Sequence, residues 1–310
     1  MQAAGVRQAG GPVGILDLPD PRALRPDEVL IDVRACGVGN WDEIARAGGW
    51  DLGARPPLAL GVEAAGVAVA AGNRVTGVRP GDRVTVHSVP LREQGAWAER
   101  HIAPAGHVAP LPAGVPFSAG AALPVPALTA AQTIDDALGV HAGQTVLVHG
   151  AGGVTGGLLV QLAAYRGAAV IATAGAASAG RVAALGAGTV LDYRQPDWPA
   201  RARELTGGGV DAAANAARSG SADALRAVRT AGRLATITAD LPAAERDITL
   251  AAVQVVPDGG RLAWLAQLVA GGVLTITVAG EYPLERAAAA LAAARHGTHG
   301  AAVVIRPGPG

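Results

Sequence analysis

The sequence predicts an α/β protein in which a β-barrel-like part is combined with a doubly wound parallel sheet. Short strands separated by glycine and proline corners dominate up to about residue 120. Strands that alternate with helices follow, and a glycine-rich turn opens one of those helices. The chain has 310 residues, of which 50% are hydrophobic, so it is long enough for two domains or one large one and is able to form a sizeable core.

The first part contains clear strand patterns. Glu28 to Arg34 alternates with period two, as a half-buried strand does, and Ala64 to Ala71 is an apolar run between glycines. Arg79 to Asp82 is typical of a turn, and the strand Arg83 to His87 follows it. Frequent strands of this kind predict a compact barrel-like module.

The later part has the rhythm of a parallel α/β sheet. Ala119 to Leu138 is compatible with a helix that Pro124 and Pro126 break. The predicted strands are 145–149, 169–173, 189–192, 211–215 and 233–238, and the predicted helices are 156–167, 178–185 and 222–229. A tail from Asp258 adds the helices 261–270 and 284–295 and a strand at 301–305. Such alternation predicts a doubly wound sheet.

Charge and cysteine usage exclude several classes of protein. The formal net charge is zero, so no global field attracts nucleic acid or an anionic membrane. The single cysteine, Cys36, excludes an intrachain disulfide and a thiolate cluster for zinc. Apolar runs such as Leu158 to Ala164 are far shorter than the ~20 residues that span a bilayer, and no signal peptide is recognised. We therefore expect a cytoplasmic protein without nucleic-acid or membrane partners.

The glycine-rich turn predicts a dinucleotide site. A buried strand, Thr145 to Val148, leads into the turn, and an apolar helix follows immediately. Glycine permits a tight turn and close approach of backbone N–H groups to a diphosphate, towards which the helix N-terminus directs partial positive charge. An ordinary β–α turn is the alternative. The predicted contacts are Gly150, Gly152, Gly153, Val154, Thr155 and Gly156.

The next strand favours NADPH over NADH. A site for NADH usually has Asp or Glu at the end of this strand, where it binds the ribose 2′-hydroxyl, and neither is present here. Instead, the loop offers Thr173, Ser178 and Arg181, which suit a 2′-phosphate. Arg181 is equally compatible with a solvated position on a helix.

Several collinear motifs resemble those of a known family. They are Cys36 to Asp42, Leu60 to Glu63 with Gly66, Gly81 to Val84, Gly95 to Glu99, Leu123 to Val125 with Leu128 to Ala130, Val146 to Gly156 with Gln161 to Ala163, Leu185 to Ala187 with Leu191 to Tyr193, and Tyr282 to Glu285. Together they resemble the zinc-free medium-chain dehydrogenase/reductases of the quinone oxidoreductase (zeta-crystallin-like) subgroup. The resemblance covers nearly the whole chain. It implies a GroES-like substrate domain over 1–122 and 258–310 and a Rossmann domain for NADPH over 123–257.

The positions that bind catalytic zinc in the zinc-dependent relatives are occupied by Gly39 and Val62. Neither residue carries a ligating atom, whereas catalytic zinc requires three protein ligands and an open position. His87, His101 and His107 lack a paired ligand set and are interpreted as solvated or core histidines. No metal is therefore predicted. Without a Lewis acid, reduction of a conjugated carbonyl is easier than that of a simple one, because charge delocalises onto the distant oxygen.

Candidate catalytic residues come from the first loop. Asn40 is a candidate for binding a carbonyl or the nicotinamide ribose, although the family's Asn corresponds to Gly39. Asp42 matches a family position, with a buried turn-capping role as the alternative. Trp50 replaces a family Tyr and is able to stack on a flat substrate without supplying a proton.

Three further residues are predicted to serve the cofactor. By resemblance, Thr129 is expected to contact the carboxamide, with a hydroxyl bonded to its own helix as the alternative. Tyr193 is expected near the adenosine, or else in a structural role. Asn215 ends a predicted strand on the side where ligands bind such sheets, and a turn role is the alternative.

These observations predict an NADPH-dependent reductase of quinones or α,β-unsaturated carbonyls, with a small-molecule substrate. One alternative is a biosynthetic tailoring enzyme of the same family that performs enoyl reduction or a non-redox cyclisation in a polyketide-type pathway. Another is a non-catalytic NADPH-binding protein. The resemblance also implies a homodimer, formed through Arg233 to Thr238 as the edge strand of the Rossmann sheet.

Overall fold

The computed structural model describes residues 1–308. Its strands are β1 Gln2–Val6, β2 Gly14–Asp17, β3 Glu28–Val38, β4 Leu58–Ala59, β5 Glu63–Ala71, β6 Arg83–His87, β7 Arg100–Pro104, β8 Val108–Pro110, β9 Thr145–His149, β10 Ala169–Thr173, β11 Thr189–Leu191, β12 Val210–Asn215, β13 Val228–Thr236, β14 Thr249–Ala252, β15 Val278–Pro283 and β16 Ala302–Arg306. Its α-helices are α1 Asn40–Arg46, α2 Phe117–Ala121, α3 Pro124–Ala131, α4 Val154–Tyr165, α5 Ala176–Ala184, α6 Trp198–Leu205, α7 Ser221–Ala227, α8 Gly259–Ala270 and α9 Ala287–His296. A π-helical segment, Gln132–Ala137, follows α3, and short 3₁₀ turns span Ala105–His107 and Leu284–Arg286.

The chain divides into two compact units. The first contains Met1–Leu128 and the segment that starts at Val256, and the second is Thr129–Val255. The first unit is therefore built from both ends of the sequence, and the second is inserted between them.

The first unit is a GroES-like arrangement of strands. Its larger sheet has the order β15-β16-β3-β5-β6-β8, with β7 also paired to β3, and a smaller sheet has the order β2-β1-β4. The predicted period-two pattern appears in β3, which buries Val29, Ile31 and Val33. The strand continues beyond Arg34 to Val38, because its last four residues are all buried and carry no alternating signal.

The second unit is a doubly wound parallel sheet, as the sequence predicts. Its order is β11-β10-β9-β12-β13-β14, and all of its pairings are parallel. In β9, the four residues from Val146 to His149 are buried, which explains its continuous apolar pattern. One core cluster of this unit joins Leu147, Ala213 and Leu234 from three neighbouring strands.

One local prediction is refined and another is wrong. The predicted helix break is found before Pro124, since α2 ends at Ala121 and α3 begins at Pro124; both prolines lie in the first turn of α3, where the missing N–H group of proline costs nothing. The strand predicted at 233–238 corresponds to β13, which lies between β12 and β14. The prediction that it forms the sheet edge is therefore wrong: β14, a strand of four residues without a distinct pattern, occupies that edge.

Within the part of the chain that the structure describes, no helix combines the length and the apolar character needed to cross a membrane.

Candidate functional site

The glycine-rich turn leaves the sheet at its topological switch point. β9 is flanked by β10 on one side and by β12 on the other, and the chain continues from β9 to β10 but from β12 to β13. In sheets of this kind, ligands bind beyond the carboxyl ends of the two strands at which the order reverses. The loops after β9 and β12 therefore flank the candidate site.

At two positions of the turn, neighbouring backbone atoms lie so close that only glycine fits. Gly150 has a φ of +85°, and a Cβ atom there would lie 2.7 Å from the backbone nitrogen of Ala217. A Cβ atom at Gly156 would overlap the carbonyl oxygen of Gly150 and lie 2.8 Å from the Cα atom of Ala151. The spacing of these glycines thus reflects packing of the turn against α4 and against the loop after β12.

The N-terminus of α4 is accessible to a ligand. Gly153 is its N-cap, and Gly152, Val154 and Thr155 are partly exposed. The first N–H groups of a helix have no acceptor inside it, and a helix of 12 residues adds its dipole there. The backbone at this point fits an anionic group such as a diphosphate.

Thr173 supports the turn from inside the fold. Its side chain is fully buried, and its hydroxyl oxygen accepts a hydrogen bond from the Gly150 N–H at 3.1 Å. The same hydroxyl lies 2.7 Å from Nδ1 of His149, to which it is able to donate its proton. Contact of Thr173 with a 2′-phosphate stays a prediction that this geometry does not favour, because its hydroxyl is buried and satisfied within the protein.

Arg181 braces α5 against the turn. Its Nη2 donates to the carbonyl oxygen of Gly152 at 2.7 Å, and burial lowers the pKa of its guanidinium group. The alternative of a solvated helix residue does not describe this geometry. Ser178 is 8% exposed, and its hydroxyl faces the turn, since a Cβ atom at Gly152 would lie 3.5 Å from Oγ.

Arg194 is a cationic residue at this edge that the sequence analysis missed. A Cβ atom at Gly175, in the loop that follows β10, would lie 3.2 Å from Nη2 of Arg194. The side chain is 59% exposed, and its guanidinium carbon lies 5.3 Å from the centroid of the Tyr193 ring, which is itself 49% exposed. The signal was present, because Tyr193 and Arg194 follow β11 at the same edge of a parallel sheet.

Asn215 is occupied by internal hydrogen bonds. Its Nδ2, which has two protons to donate, lies 3.1 Å from the carbonyl oxygen of Ala217, 3.0 Å from the hydroxyls of Thr236 and Thr238 and 3.3 Å from Oδ1 of Asp240. Its Oδ1 accepts from the N–H of Ala217 at 3.1 Å. This geometry matches the turn role that the sequence left open as an alternative to cofactor contact.

Thr129 lies in α3 and is 8% exposed, and its backbone carbonyl accepts the hydroxyl of Thr133 at 2.7 Å. Its neighbour in the sequence, Leu128, belongs to the first unit.

The three candidate catalytic residues of the first unit differ in exposure. Asn40 begins α1 and is exposed, and Trp50 is half-buried. Asp42 is only 1% exposed, and its Oδ2 accepts the N–H of Gly39 at 2.8 Å. Burial raises the pKa of Asp42 to about 7, although hydrogen bonds from the Gly39 and Gly61 backbones lower it in part. The structure therefore gives Asp42 the buried capping geometry.

Trp41, which the sequence analysis did not single out, explains the absence of a side chain at Gly39. A Cβ atom at Gly39 would overlap the indole ring of Trp41. The family's Asn at this position is thus incompatible with the indole. Any zinc-ligating side chain at residue 39 would overlap the indole ring in the same way.

The zinc positions of related dehydrogenases do not fit a metal in this chain. Gly39 has no side chain, and Val62 is fully buried and apolar. Among residues 1–308, no group of three or more His, Cys, Asp or Glu side chains is arranged to hold a metal ion. His87 and His101 are buried, and burial lowers the pKa of each to about 4.

A second buried carboxyl group lies near Asp42. Glu63 is 1% exposed, and its Oε2 accepts the N–H of Val125 at 2.7 Å. Burial raises the pKa of Glu63 well above its ordinary value, and the charge of Asp42 adds to this effect. The same two causes raise the pKa of the Cys36 thiol, which donates to the carbonyl oxygen of Ala96 at 2.8 Å.

Comparison with known proteins places this fold and site in a family. The alcohol dehydrogenase GroES-like domain matches residues 25–113, and the zinc-binding dehydrogenase family matches residues 185–305. The quinone oxidoreductase of Lama guanicoe is 36% identical over 198 residues, which are 63% of this chain and 59% of that protein. An erythronolide synthase of Saccharopolyspora erythraea is 40% identical over 196 residues, which are 62% of this chain but 5% of that protein.

Among solved structures, a mycobacterial protein in complex with NADPH has 30% sequence identity and a TM-score of 0.86, and the match covers 99% of this chain and 100% of that one. The family resemblance predicted from the sequence is confirmed. The chain belongs to the medium-chain dehydrogenase/reductases, within their quinone oxidoreductase subgroup.

Proposed function

We propose that this chain is an NADPH-dependent reductase of quinones or α,β-unsaturated carbonyls that works without zinc. The observation that carries the proposal is the close-packed glycine turn at the switch point, whose accessible helix N-terminus fits a diphosphate. The quinone oxidoreductase relative and the NADPH complex of a structural neighbour support it.

Different residues of the second unit would bind the diphosphate and the 2′-phosphate of NADPH. The backbone from Gly152 to Thr155 would bind the diphosphate. Arg194, with Tyr193 next to it and Ser178 on α5, would hold the 2′-phosphate, because a guanidinium group near Gly175, in the loop after β10, takes the place of the carboxylate expected for NADH. Thr129 is proposed to contact the carboxamide.

Bound NADPH would supply the hydride, and the protein would orient the acceptor. Because Gly39 and Val62 cannot ligate a Lewis acid, the acceptor must delocalise the developing charge by itself, which favours quinones and enones. The exposed amide of Asn40 is proposed to donate to the acceptor oxygen, and Trp50 to stack on its flat face.

A second candidate function is an enoyl reduction in polyketide assembly. The specific observation in its favour is the 40% identity to a segment of an erythronolide synthase. On this hypothesis the acceptor is an α,β-unsaturated acyl thioester, in which the same conjugation delocalises charge.

Turnover measurements test the proposal. Purified protein is mixed with NADPH and with a panel of quinones, enones and enoyl thioesters, and the absorbance of the reduced nicotinamide is followed. We expect loss of absorbance with at least one conjugated acceptor and none with simple aldehydes. Product formation without consumption of NADPH would instead indicate a non-redox activity. Calorimetry that detects no binding of NADPH would overturn the proposal.

Substitution of Arg194 tests the preference for NADPH. Arg194→Gln should weaken NADPH binding about tenfold while NADH binding changes little, because only NADPH carries the 2′-phosphate. Arg201→Gln, at another exposed arginine with 58% of its side chain accessible, is the matched control and should change neither affinity. Equal loss of NADPH and NADH binding in Arg194→Gln would contradict the assignment.

We also propose that the chain forms a homodimer, now through β14 instead of the predicted strand at 233–238. β14 leaves one row of backbone groups unpaired in the second unit's sheet. Light scattering coupled to size exclusion should give twice the chain mass of 30.6 kDa. Proline at Leu250, which would disrupt an edge-strand pairing, should shift the mass to that of one chain.

A further inference from the structure

The loop after β12 packs directly on the glycine turn. The backbone N–H of Ala216 donates to the carbonyl oxygen of His149 at 2.8 Å. A Cβ atom at Gly150 would lie 2.7 Å from the nitrogen of Ala217 and 2.8 Å from the carbonyl carbon of Ala216. The loop and the turn therefore form adjacent walls at the switch point of the sheet.

The position of this loop is fixed by hydrogen bonds. Asn215 brackets Ala217 by accepting its N–H and donating to its carbonyl oxygen, each at 3.1 Å. The N–H of Gly220 donates to the same carbonyl oxygen at 3.0 Å. Ser219 has a φ of +56°, so the backbone reverses immediately after Arg218.

Arg218 is presented by this fixed loop without a partner. Its side chain is exposed, and among residues 1–308 it makes no hydrogen bond or ion pair. Nearby arginines differ: Arg226 is paired with Asp223 at 2.7 Å, and Arg229 with Asp211 at 2.8 Å. Arg218 thus carries an unneutralised charge beside the turn.

The electrostatic surroundings favour a further cation if a dianion binds here. Burial opposes ionisation of Asp240, but hydrogen bonds from Thr238, Thr236 and Ser221 lower its pKa to about 2, so its carboxylate is ionised. Burial lowers the pKa of His149, and the charges of Asp223 and Asp240 offset part of this effect. Negative charge next to β9 would repel a diphosphate unless a cation offsets it.

We infer that Arg218 binds the diphosphate of the dinucleotide from the β12 side, opposite the N–H groups of α4. The inference rests on the proposed function, which requires a dinucleotide at this turn. It assigns the diphosphate a charged ligand on a loop that the glycine motif does not include. A guanidinium group is suited to this role, because its planar fork matches two phosphate oxygens.

Calorimetric titration with NADPH, NADH and ADP-ribose tests the inference. Arg218→Gln should weaken all three about tenfold, since each contains the diphosphate, and should reduce the salt dependence of binding. Arg218→Lys should restore part of the affinity by supplying a point charge. Arg201→Gln, at an exposed arginine of α6, is the control and should leave the affinities unchanged, and the thermal midpoint of each variant reports its folding.

Two results would overturn the inference. One is unchanged affinity of Arg218→Gln for all three nucleotides, and the other is a loss confined to NADPH, which would place Arg218 at the 2′-phosphate. Failure of the unsubstituted protein to bind any of the nucleotides would instead overturn the proposed function, so the two failures are distinguishable.

Discussion

Substitution of Gly156 by alanine is expected to weaken NADPH binding at least about 100-fold. The added Cβ atom would overlap the carbonyl oxygen of Gly150 and crowd the Cα atom of Ala151 at 2.8 Å, and both are backbone atoms of the turn. The turn must therefore move away from α4, which misaligns the N–H groups proposed to bind the diphosphate. Overpacking at this contact should also lower the free energy of unfolding by about 1–3 kcal/mol.

A matched glycine separates loss of the site from loss of the fold. Gly180 lies in α5, and a Cβ atom there has no neighbour within 4 Å. Gly180→Ala should bind NADPH as the parent protein does and should be more stable by about 0.5–1 kcal/mol, because alanine favours the helix. Titration of Gly156→Ala below its melting transition is the decisive measurement. Parental affinity in that variant would refute the assignment of the turn.

Substitution of Asp42 by asparagine is expected to flatten the pH dependence of stability between about pH 4 and pH 7. Burial raises the pKa of Asp42 from its ordinary value of 3.8 to about 7. Its carboxyl group is therefore neutral in the folded protein but ionised in the unfolded chain across this range. The stabilising effect of this protonation is complete below the unfolded pKa and is lost as the pH rises through the folded pKa.

The size of this effect follows from the pKa change. A rise from 3.8 to about 7 corresponds to roughly 4 kcal/mol, which the parent protein should lose relative to Asp42→Asn between the two values. An asparagine oxygen can still accept the N–H of Gly39, so the cap of α1 is retained. Burial, the largest cause, keeps the pKa values of Glu63 and Cys36 raised in both proteins. Asp42→Asn removes only the lesser effect of the Asp42 charge, so their contributions largely cancel in the comparison.

Denaturant unfolding at a series of pH values gives the required free energies. Asp20→Asn removes a carboxyl group that is 79% exposed, and its stability curve should run parallel to that of the parent protein. If the curve of Asp42→Asn also runs parallel, the buried carboxyl group of Asp42 is ionised in the folded state and the expectation is wrong.

Much of the fold follows from local patterns. The alternating burial of β3 and the continuous burial of β9 are visible as period-two and unbroken apolar runs, respectively. The edge strand β14 has only four residues and no distinct pattern, so its pairing with β13 was not predictable. Pro124 marks the predicted break between α2 and α3, but its place in the first turn of α3 was not predictable, because it depends on where that helix begins.

For the candidate site, the backbone turn was predictable from the sequence but the hydrogen bonds of its polar side chains were not. The glycine turn was located because glycine spacing directly reflects backbone geometry. The hydrogen-bond partners of the polar side chains were not predictable, because these partners are residues distant in the sequence. Thr173 forms hydrogen bonds with Gly150 and His149. The side-chain amide of Asn215 is bonded among Thr236, Thr238 and Asp240. Arg194, in contrast, remains exposed.

By itself, the sequence determined the fold class, the place of the glycine-rich turn and the lack of zinc ligands at Gly39 and Val62. These features depend on residue type and spacing, which local physical rules connect to structure. Only the tertiary structure decided which polar groups of that edge are consumed inside the protein and which are left for a ligand. A hydrogen bond satisfied within the fold removes a side chain from recognition, and that depends on neighbours that folding alone brings together.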